Sequence, residues 1–319
     1  MTVISKAPID ISKRPMLAYT GTDEIYKEML LRGPLYVSPK LDGIRCRVID
    51  NRATTGREGK RLKNLHIRKL LENPLLEGFD GELVAMNAFG DYATFQETDS
   101  AVMSEGGCPN FQYCVFDICS LKWANMSYLS RQTVLKQYVK AAQAAGHTYL
   151  TFWGSEYIYS WGGLEEYERM ALQSKYEGLI IRSPDGRYKY GRSTVKEGIM
   201  GKLKRFEDRE AYVTGVFPLE HNENTPTQND LGYQKRSAHK ANQRISDTMA
   251  GGVYCTDLHN PEWDFKIGSG FDFAMRERIW KMRNRLVEMK AVLTYKYQPF
   301  GVKEKPRSPV FKAFRDAWS

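Results

Sequence analysis

The stretch Lys40-Leu41-Asp42-Gly43-Ile44-Arg45 brings a lysine, an acid, a glycine and an arginine together within six residues. The runs at 34–37 and 46–49 are mainly apolar and β-branched, so both are predicted to be short strands joined by this stretch. Glycine lets a ligand or a neighbouring backbone approach closely, and arginine offers a forked donor for phosphate. The stretch therefore indicates a nucleotide-phosphate site.

Lysine is a poor nucleophile while it is protonated. Covalent chemistry at Lys40 therefore requires burial or nearby cations, such as Arg45, that favour the neutral amine. In the alternative interpretation, Lys40 and Arg45 are surface charges on either side of an Asp-Gly hairpin turn, which is a common sequence. The stretch alone leaves both interpretations open, and the order of the residues that follow favours the first.

The composition is that of a globular protein with an excess of positive charge. Its 319 residues can bury a sizeable core, and this length favours two domains over one. Hydrophobic residues make up 42% and charged residues 27% of the chain. Because 47 Lys and Arg residues stand against 38 Asp and Glu residues, the formal net charge is +9, which suits a polyanionic partner.

Cysteine usage and the apolar runs indicate where the protein acts. Five cysteines, at positions 46, 108, 114, 119 and 255, form no Cys-x-x-Cys pair, which argues against a disulfide framework or a zinc site and for a reducing compartment. We find no signal-peptide core, and no apolar run approaches the roughly 20 residues that cross a bilayer. We therefore expect a cytoplasmic or nuclear protein, or one made inside an infected cell, with no membrane partner.

Two carboxylates follow in the apolar run 79–85, which is predicted to be a strand. Asp80 and Glu82 are two residues apart, so they share one face. Carboxylates on a mainly apolar strand are costly unless they meet water, a cation or hydrogen-bond donors. A ribose or metal contact is one interpretation of Glu82, and an edge-strand salt bridge is the other.

Later strand-like runs carry further candidates. In the run 111–118, Phe116 is either core or a ring that stacks on a nucleobase. Glu177 lies at the start of another apolar run. Lys202 and Lys204 are two residues apart, so on a strand both face the same way, which suits either a bound anion or a solvated surface. Arg57, in a glycine-bracketed turn, is open to the same two interpretations.

Helical periodicity predicts helices at 22–31, 130–145 and 164–174, with Ser130 as the N-cap of the second and Gly146 beyond its end. After residue 206 the pattern changes. Short strand-like runs at 210–216, 252–255, 264–270 and 292–297 are separated by turns, which is typical of a small barrel.

In this order the motifs resemble the covalent nucleotidyltransferase superfamily, and most closely the small ATP-dependent DNA ligases of bacteriophages and other viruses. The stretch from Lys40 resembles the family motif whose lysine is adenylated. The resemblance implies nucleotide contacts for several other residues: Ser38, Arg45, Arg57, Glu82, Phe116, Glu177, Lys202, Lys204 and, near the C-terminus, Arg307. It also implies Glu82 and Glu177 as metal ligands, and Arg192 as the group that grips the 5′-phosphate of a nick.

The resemblance further implies an α+β, two-domain architecture. Residues 1–206 are expected to form an adenylation domain with antiparallel sheets, and residues 207–319 an OB-fold β-barrel. Between the first barrel strands lies a polar, basic stretch that includes Lys235, Arg236 and Lys240. It is either a disordered loop or, in the favoured interpretation, a loop that contacts DNA. The chain departs from the family at Ser38, where many cellular ligases carry an acid that reads adenine, and in its tail at 314–319, which lacks the Asp-Lys ending.

The predicted activity is ATP-dependent sealing of nicks in duplex DNA through a lysyl-AMP and a DNA-adenylate, in replication, repair or recombination. ATP and Mg²⁺, or Mn²⁺, are the expected cofactors, and nicked double-stranded DNA is the expected partner of a monomer. The place of action is expected to be the cytoplasm, that of the host if the protein is encoded by a phage. An RNA ligase or an mRNA-capping guanylyltransferase is the alternative, and a catalytically inactive end-binding module is a third possibility.

Overall fold

The computed structural model describes residues 14–57, 59–228, 234–237, 243–299, 302 and 304–315, with the backbone alone at 228, 234 and 235. The chain divides into two compact units, and the division falls between Lys204 and Arg205. Strands and helices are numbered in chain order. None of the helices in these ranges is both long and apolar enough to span a membrane.

In its described residues, the first unit mixes short strands with six α-helices. Its strands are β1 (Met16–Leu17), β2 (Tyr19–Thr20), β3 (Leu35–Pro39), β4 (Ile44–Ile49), β5 (Arg52–Thr55), β6 (Lys60–Arg61), β7 (Phe79–Ala85), β8 (Phe111–Ile118), β9 (Leu150–Phe152), β10 (Glu156–Ile158), β11 (Leu179–Arg182), β12 (Gly191–Arg192) and β13 (Met200–Leu203). Its helices are α1 (Asp23–Arg32), α2 (Leu65–Leu71), α3 (Phe95–Met103), α4 (Leu121–Ala124), α5 (Tyr128–Ala144) and α6 (Trp161–Gln173).

Two larger sheets organise this unit. One has the order β10-β3-β11-β13-β2, and the other has the order β6-β5-β4-β7-β8-β9. β3 and β4 flank the link Lys40–Gly43, yet they belong to different sheets. The link is therefore not a hairpin turn, and it is shorter than predicted because Ile44 and Arg45 already lie in β4. A Cβ atom on Gly43 would overlap the carbonyl oxygen of Leu83. Glycine is therefore needed where the link runs close to the backbone of β7.

The predicted helices are present, but two of them begin earlier than expected. The N-cap of α5 is Ser127, whose side chain accepts a hydrogen bond from the backbone N–H of Ser130, so the assignment of Ser130 as N-cap is wrong. Gly146 follows the helix with a φ of 102°, as expected for a residue beyond a C-terminus. α6 begins at Trp161, capped by Ser160, before the predicted start at 164.

The second unit is built around one antiparallel sheet. Its elements are β14 (Glu207–Asn222), β17 (Gln243–Asp257), β18 (Asp264–Ile267), α7 (Phe273–Lys281), α8 (Arg283–Glu288), β19 (Val292–Gln298) and β20 (Arg307–Phe314). The sheet order is β18-β17-β14-β19-β20, and a parallel bridge between Ser269 and Val310 brings its two edges together. This arrangement is consistent with the OB-fold that the family resemblance implied, although the sheet is not a closed barrel and α7 and α8 were not predicted. Along the chain between β14 and β17, β15 (Pro226–Gln228) pairs with β16 (Gln234–Arg236).

Candidate active site

A cleft in the first unit is lined from both of its larger sheets. Ser38 comes from β3, Arg45 from β4, Glu82 from β7 and Phe116 from β8. The residues that line the cleft are Leu17, Ala18, Ser38, Pro39, Lys40, Leu41, Arg45, Arg57, Glu82, Phe116, Trp153, Ile180, Arg182, Arg192, Met200 and Lys202. The structure therefore brings together most of the nucleotide contacts predicted in the first unit.

Lys40 lies in the cleft, and its ammonium group is paired with a carboxylate. The Nζ atom donates to Oε2 of Glu177 and, at 3.2 Å, to the carbonyl oxygen of Leu41. Lys204 donates to the other carboxylate oxygen of Glu177, whose side chain is only 3% exposed. Glu177 thus bridges two lysines, and its negative charge offsets the cations that were expected to surround Lys40.

The backbone fixes this pair independently of the side chains. The N–H of Lys40 donates to the carbonyl oxygen of Gly178 at 2.8 Å, and the N–H of Glu177 donates to the carbonyl oxygen of Lys40 at 3.1 Å. Gly178 has a φ of 147°, and a Cβ atom there would overlap the carbonyl oxygen of Leu203. Only glycine fits this position, where the chain enters β11.

Arg45 is held in place by a buried acid. Asp80 accepts hydrogen bonds from Nε of Arg45 at 2.9 Å, from its Nη2 at 2.6 Å, and from the Tyr188 hydroxyl at 2.6 Å. The Nη1 of Arg45 also donates to the carbonyl oxygen of Met16. Burial alone would raise the pKa of Asp80, but Arg45, Arg47 and the Tyr188 hydroxyl together hold this pKa below its ordinary value.

Glu82 lies on the same strand as Asp80, as predicted, and lines the cleft. Burial raises the pKa of Glu82 to about 7, although the charges of Lys40 and Arg45 oppose the shift. A carboxylate in this environment gains most when a ligand supplies hydrogen-bond donors or a cation. β7 lies between β4 and β8, so the edge-strand interpretation is wrong, and the ribose or metal contact stays a prediction.

Aromatic rings form another wall of the cleft. The guanidinium carbons of Arg45 and Arg182 lie 5.5 and 5.4 Å from the centre of the Phe116 ring. Trp153, which sequence reasoning missed, donates from Nε1 to the carbonyl oxygen of Pro39 at 3.1 Å, directly before Lys40. These contacts fix the Phe116 ring and the Trp153 indole at the cleft surface, where a base can stack.

The basic end of the cleft is formed by Lys202, Arg57 and Arg192. Burial, together with the positive charges of Lys40, Arg192 and Arg57, lowers the pKa of Lys202. Lys202 and Lys204 do not act as an equivalent pair, because Lys202 lines the cleft while Lys204 binds Glu177. Repulsion between cations held together in this way is relieved when an anion binds among them.

Other predicted site residues lie outside this cleft or outside the described residues. Arg307 begins β20 of the second unit. Arg236 lies at the end of β16, in a strand where a loop was predicted, and its Nη1 donates to the carbonyl oxygen of Asn224. The side chain of Lys235 and all of Lys240 fall outside the described residues.

Sequence reasoning missed three residues that shape the site: Trp153, Arg182 and Tyr188. Arg182 ends an apolar strand, and a cation directly after such a run is the signal that could have identified it. Tyr188 and Trp153 stand in aromatic-rich segments, where nothing local distinguishes a core ring from a site ring.

The cleft residues fit a magnesium ion. Mg²⁺ usually keeps several waters and binds one or two carboxylates together with substrate phosphates. Glu82, which lines the cleft, and Glu177, which is hydrogen-bonded to the Lys40 amine, supply two carboxylates. In the described part of the chain, no group of three or more His, Cys, Asp or Glu side chains is placed to hold a metal.

The cleft thus combines the Phe116 ring, the Lys40 amine and the basic side chain of Lys202, an arrangement that suits a nucleotide. Residues 15–204 match the family model described as ATP dependent DNA ligase domain, and residues 244–315 match the DNA ligase OB-like domain. Since the first match covers more than half of the chain, this protein belongs to the ATP-dependent DNA ligase family. It is a ligase that uses ATP.

Solved structures agree with this membership. A Chlorella virus DNA ligase-adenylate is 30% identical, with 96% of this chain and 99% of that chain covered and a TM-score of 0.51. A Lig E DNA ligase shares the fold at 23% identity, with 95% and 99% covered and a TM-score of 0.65. The bacteriophage T7 ATP-dependent DNA ligase, solved with ATP, shares the fold at 15% identity, with 96% and 100% covered and a TM-score of 0.50. The comparison with curated proteins gave no match.

Proposed function

We propose that this ligase seals nicks between a 5′-phosphate and a 3′-hydroxyl in duplex DNA, with Lys40 as the residue that carries AMP. One observation carries the proposal: the Lys40 amine lies in the cleft and is paired with the buried carboxylate of Glu177. The Chlorella virus relative was solved as a ligase-adenylate, which supports a covalent AMP intermediate. The two family matches, one of them to an OB-like domain of DNA ligases, do not favour an RNA ligase or a capping guanylyltransferase.

In the first step, the lone pair of Lys40 Nζ attacks the α-phosphorus of ATP. A P–N bond forms, the bond to the bridging oxygen breaks, and pyrophosphate leaves. The Lys40 nitrogen donates hydrogen bonds to Glu177 and to the Leu41 carbonyl oxygen, so attack requires the amine to turn away from them and to lose a proton. Binding of a triphosphate at the basic end would draw the amine towards the α-phosphate.

In the next two steps AMP leaves the enzyme. An oxygen of the nick 5′-phosphate attacks the same phosphorus, the P–N bond breaks, and a DNA-adenylate with a P–O–P linkage forms. The 3′-hydroxyl then attacks the 5′-phosphorus, AMP departs, and a phosphodiester bond closes the strand. The Lys40 amine is regenerated, so it acts as a true catalyst.

The remaining roles follow from position and chemistry. Glu82 binds the ribose hydroxyls, Phe116 stacks on adenine, and Asp80 orients Arg45. The other proposed nucleotide contacts are Ser38, Arg57, Lys202, Lys204 and, from the second unit, Arg307, and the proposed DNA contacts are Arg192, Lys235, Arg236 and Lys240. A magnesium ion held by Glu82 and Glu177 would neutralise charge that develops on the phosphoryl oxygens.

The proposed organisation is an adenylation domain at 1–206 and an OB domain at 207–319. The division between Lys204 and Arg205 supports a boundary in this region. We further propose that the enzyme acts as a monomer on nicked duplex DNA, in the cytoplasm of the cell or of the infected host.

The first experiment is to incubate the protein with ATP and Mg²⁺ and to measure its intact mass. We expect the mass of one added AMP, which disappears when nicked duplex DNA is offered. Lys40→Ala should abolish the adduct, whereas Lys140→Ala, an exposed position on α5, should retain it. An adduct that persists on Lys40→Ala would refute the nucleophile assignment.

Substrate exchange separates the alternatives. A protein labelled by GTP in place of ATP would be a capping guanylyltransferase. A protein that forms the AMP adduct but joins broken RNA and not nicked DNA would be an RNA ligase.

A further inference from the structure

Trp153 makes a hydrogen bond to each of the two larger sheets of the first unit. Its backbone N–H donates to the carbonyl oxygen of Val115 in β8 at 2.8 Å, and its indole Nε1–H donates to the carbonyl oxygen of Pro39 in β3 at 3.1 Å. Val115 directly precedes Phe116. Pro39 directly precedes Lys40. One residue therefore connects the strand that carries the aromatic ring of the cleft with the strand that leads to the amine.

The bond to Pro39 lies where strand pairing ends. The pairing of β3 with β10 stops at Val37, which lies opposite Glu156, so Pro39 extends beyond the last paired residue on that side of β3. Trp153 belongs to the segment 153–155 between β9 and β10, and its indole N–H takes the place of the backbone donor that a longer β10 would supply. Because a side chain provides this donor, the hydrogen bond can be removed without a change in the backbone.

The indole is held in one orientation beside the lysine. Its ring centre lies 5.7 Å from that of Tyr176, in an edge-on arrangement. Both rings pack against a small buried apolar cluster that includes Leu41, the residue directly after Lys40. The indole therefore supports the chain on both sides of the lysine, by a hydrogen bond before it and by packing against that cluster after it.

We propose that Trp153 is a positioning residue that fixes the distance between the base site at Phe116 and the amine of Lys40. This inference rests on the proposed function, since it takes ATP to be bound with its base against Phe116. Catalysis depends on holding the reacting atoms in place, and a displacement of about 1 Å can cost about 10²-fold in rate. If the two sheets moved apart by that distance, ATP would still bind, but the amine would no longer meet the α-phosphate.

The last step of the reaction forms no bond to the Lys40 amine, so it serves as the internal reference. In that step the 3′-hydroxyl attacks the 5′-phosphorus of a DNA-adenylate and AMP departs. A nicked duplex made with a synthetic 5′-adenylate therefore reports on the rest of the site, once pyrophosphate has removed any AMP from the protein. The rate of AMP addition is measured separately, in single turnovers over a range of ATP concentrations. A structural defect lowers both rates, whereas a positioning defect lowers only the rate of AMP addition.

Trp153→Phe removes the indole N–H and keeps an aromatic ring against the cluster. We expect the maximal rate of AMP addition to fall at least about tenfold, because the amine is displaced. The ATP concentration at half-maximal rate, and the sealing of the adenylated nick, should stay within about twofold of the wild type. The control is Trp123→Phe, a half-buried tryptophan on α4 that is not among the cleft residues named above, and it should leave all three values unchanged.

A second substitution deletes the N–H alone. In 3-benzothienylalanine sulfur replaces the indole N–H, while the size and shape of the side chain stay close to those of tryptophan. Placed at position 153, it should reproduce the loss seen in Trp153→Phe. Normal AMP addition by this variant overturns the inference, and so does an equal loss in both reactions or a loss in ATP affinity alone. Failure of the wild type to add AMP or to seal the nick would instead overturn the proposed function.

Discussion

The clearest quantitative prediction concerns Asp80, the acid that orients Arg45. Asp80 is fully buried and accepts three hydrogen bonds from Arg45 and Tyr188. Asp80→Asn removes the negative charge and places an amide N–H₂ group against the N–H donors of Arg45. Loss of one partner from a buried ion pair costs about 3–5 kcal/mol, and we expect about 3 kcal/mol because the Arg45 side chain retains 20% of its exposure.

Tyr188→Phe is a milder change at the same buried acid. It removes the hydrogen bond that the Tyr188 hydroxyl donates to Asp80 and the one that this hydroxyl accepts from the backbone N–H of Met16. The ion pair between Asp80 and Arg45 remains. Hydrogen bonds to charged groups contribute about 1.5–3 kcal/mol, so we expect about 2 kcal/mol. Asp91→Asn, an exposed acid beyond the end of β7, is the matched control and should change stability by less than about 0.5 kcal/mol.

Native-state hydrogen exchange of the β4 and β7 amides measures these losses, because it reports the opening of this part of the fold. The same variants are assayed for AMP addition at a temperature where all are folded. We expect Asp80→Asn to be slowest, since a displaced Arg45 no longer lines the cleft. An Asp80→Asn protein within 1 kcal/mol of wild type that labels at the normal rate would refute this account of how Arg45 is positioned.

Three further predictions concern other parts of the site. The lowered pKa of Lys202 means that this side chain loses its charge at a lower pH than an ordinary lysine, so kcat/KM for AMP addition should fall as the pH rises through the alkaline range; Lys202→Arg, which stays charged, should move the decline to higher pH. DNA affinity should drop by roughly 10³ between 50 and 200 mM salt for about six phosphate contacts, and Arg192→Ala should reduce the slope of log Kd against log salt by about one, whereas an unchanged slope would contradict its phosphate contact. Gly178→Ala should abolish AMP addition, because its Cβ would collide with the Leu203 carbonyl oxygen, and near-normal labelling would show that the Lys40 backbone pairing is dispensable.

The local elements of the first unit could be predicted because their signals are local. The strand predicted at 111–118 is β8 with the same bounds, since its apolar run is long and free of breakers. The start of α5 was misplaced because Ser127 and Ser130 are both good N-caps, and only the backbone geometry shows which one is used. The path at Lys40–Gly43 was not predictable, because β4 pairs with β5 and with β7, some thirty residues later, and not with β3. The residues next to Lys40 give no local signal for the pairing with β7.

Site residues could be predicted where the type of residue and its neighbours in sequence suggest a chemical role. They could not be predicted where the role depends on burial in the folded protein. A lysine, an aspartate and an arginine around a glycine already suggest phosphate chemistry, and Lys40, Glu82, Phe116 and Lys202 all reach the cleft. Arg182 was missed because its significance depends on burial and on its contact with distant Asp117. Such a feature exists only once the strands have been assembled.

The two backbone hydrogen bonds at Lys40 limit how this enzyme can move during its first step. Glu177 and Gly178 hold the peptide groups on both sides of the lysine Cα, so the nucleophile cannot be delivered by a loop that opens and shuts. The torsions of the lysine stem must carry the amine from its carboxylate to phosphorus. The amides of Lys40 and Glu177 should accordingly exchange with deuterium equally slowly before and after AMP is attached.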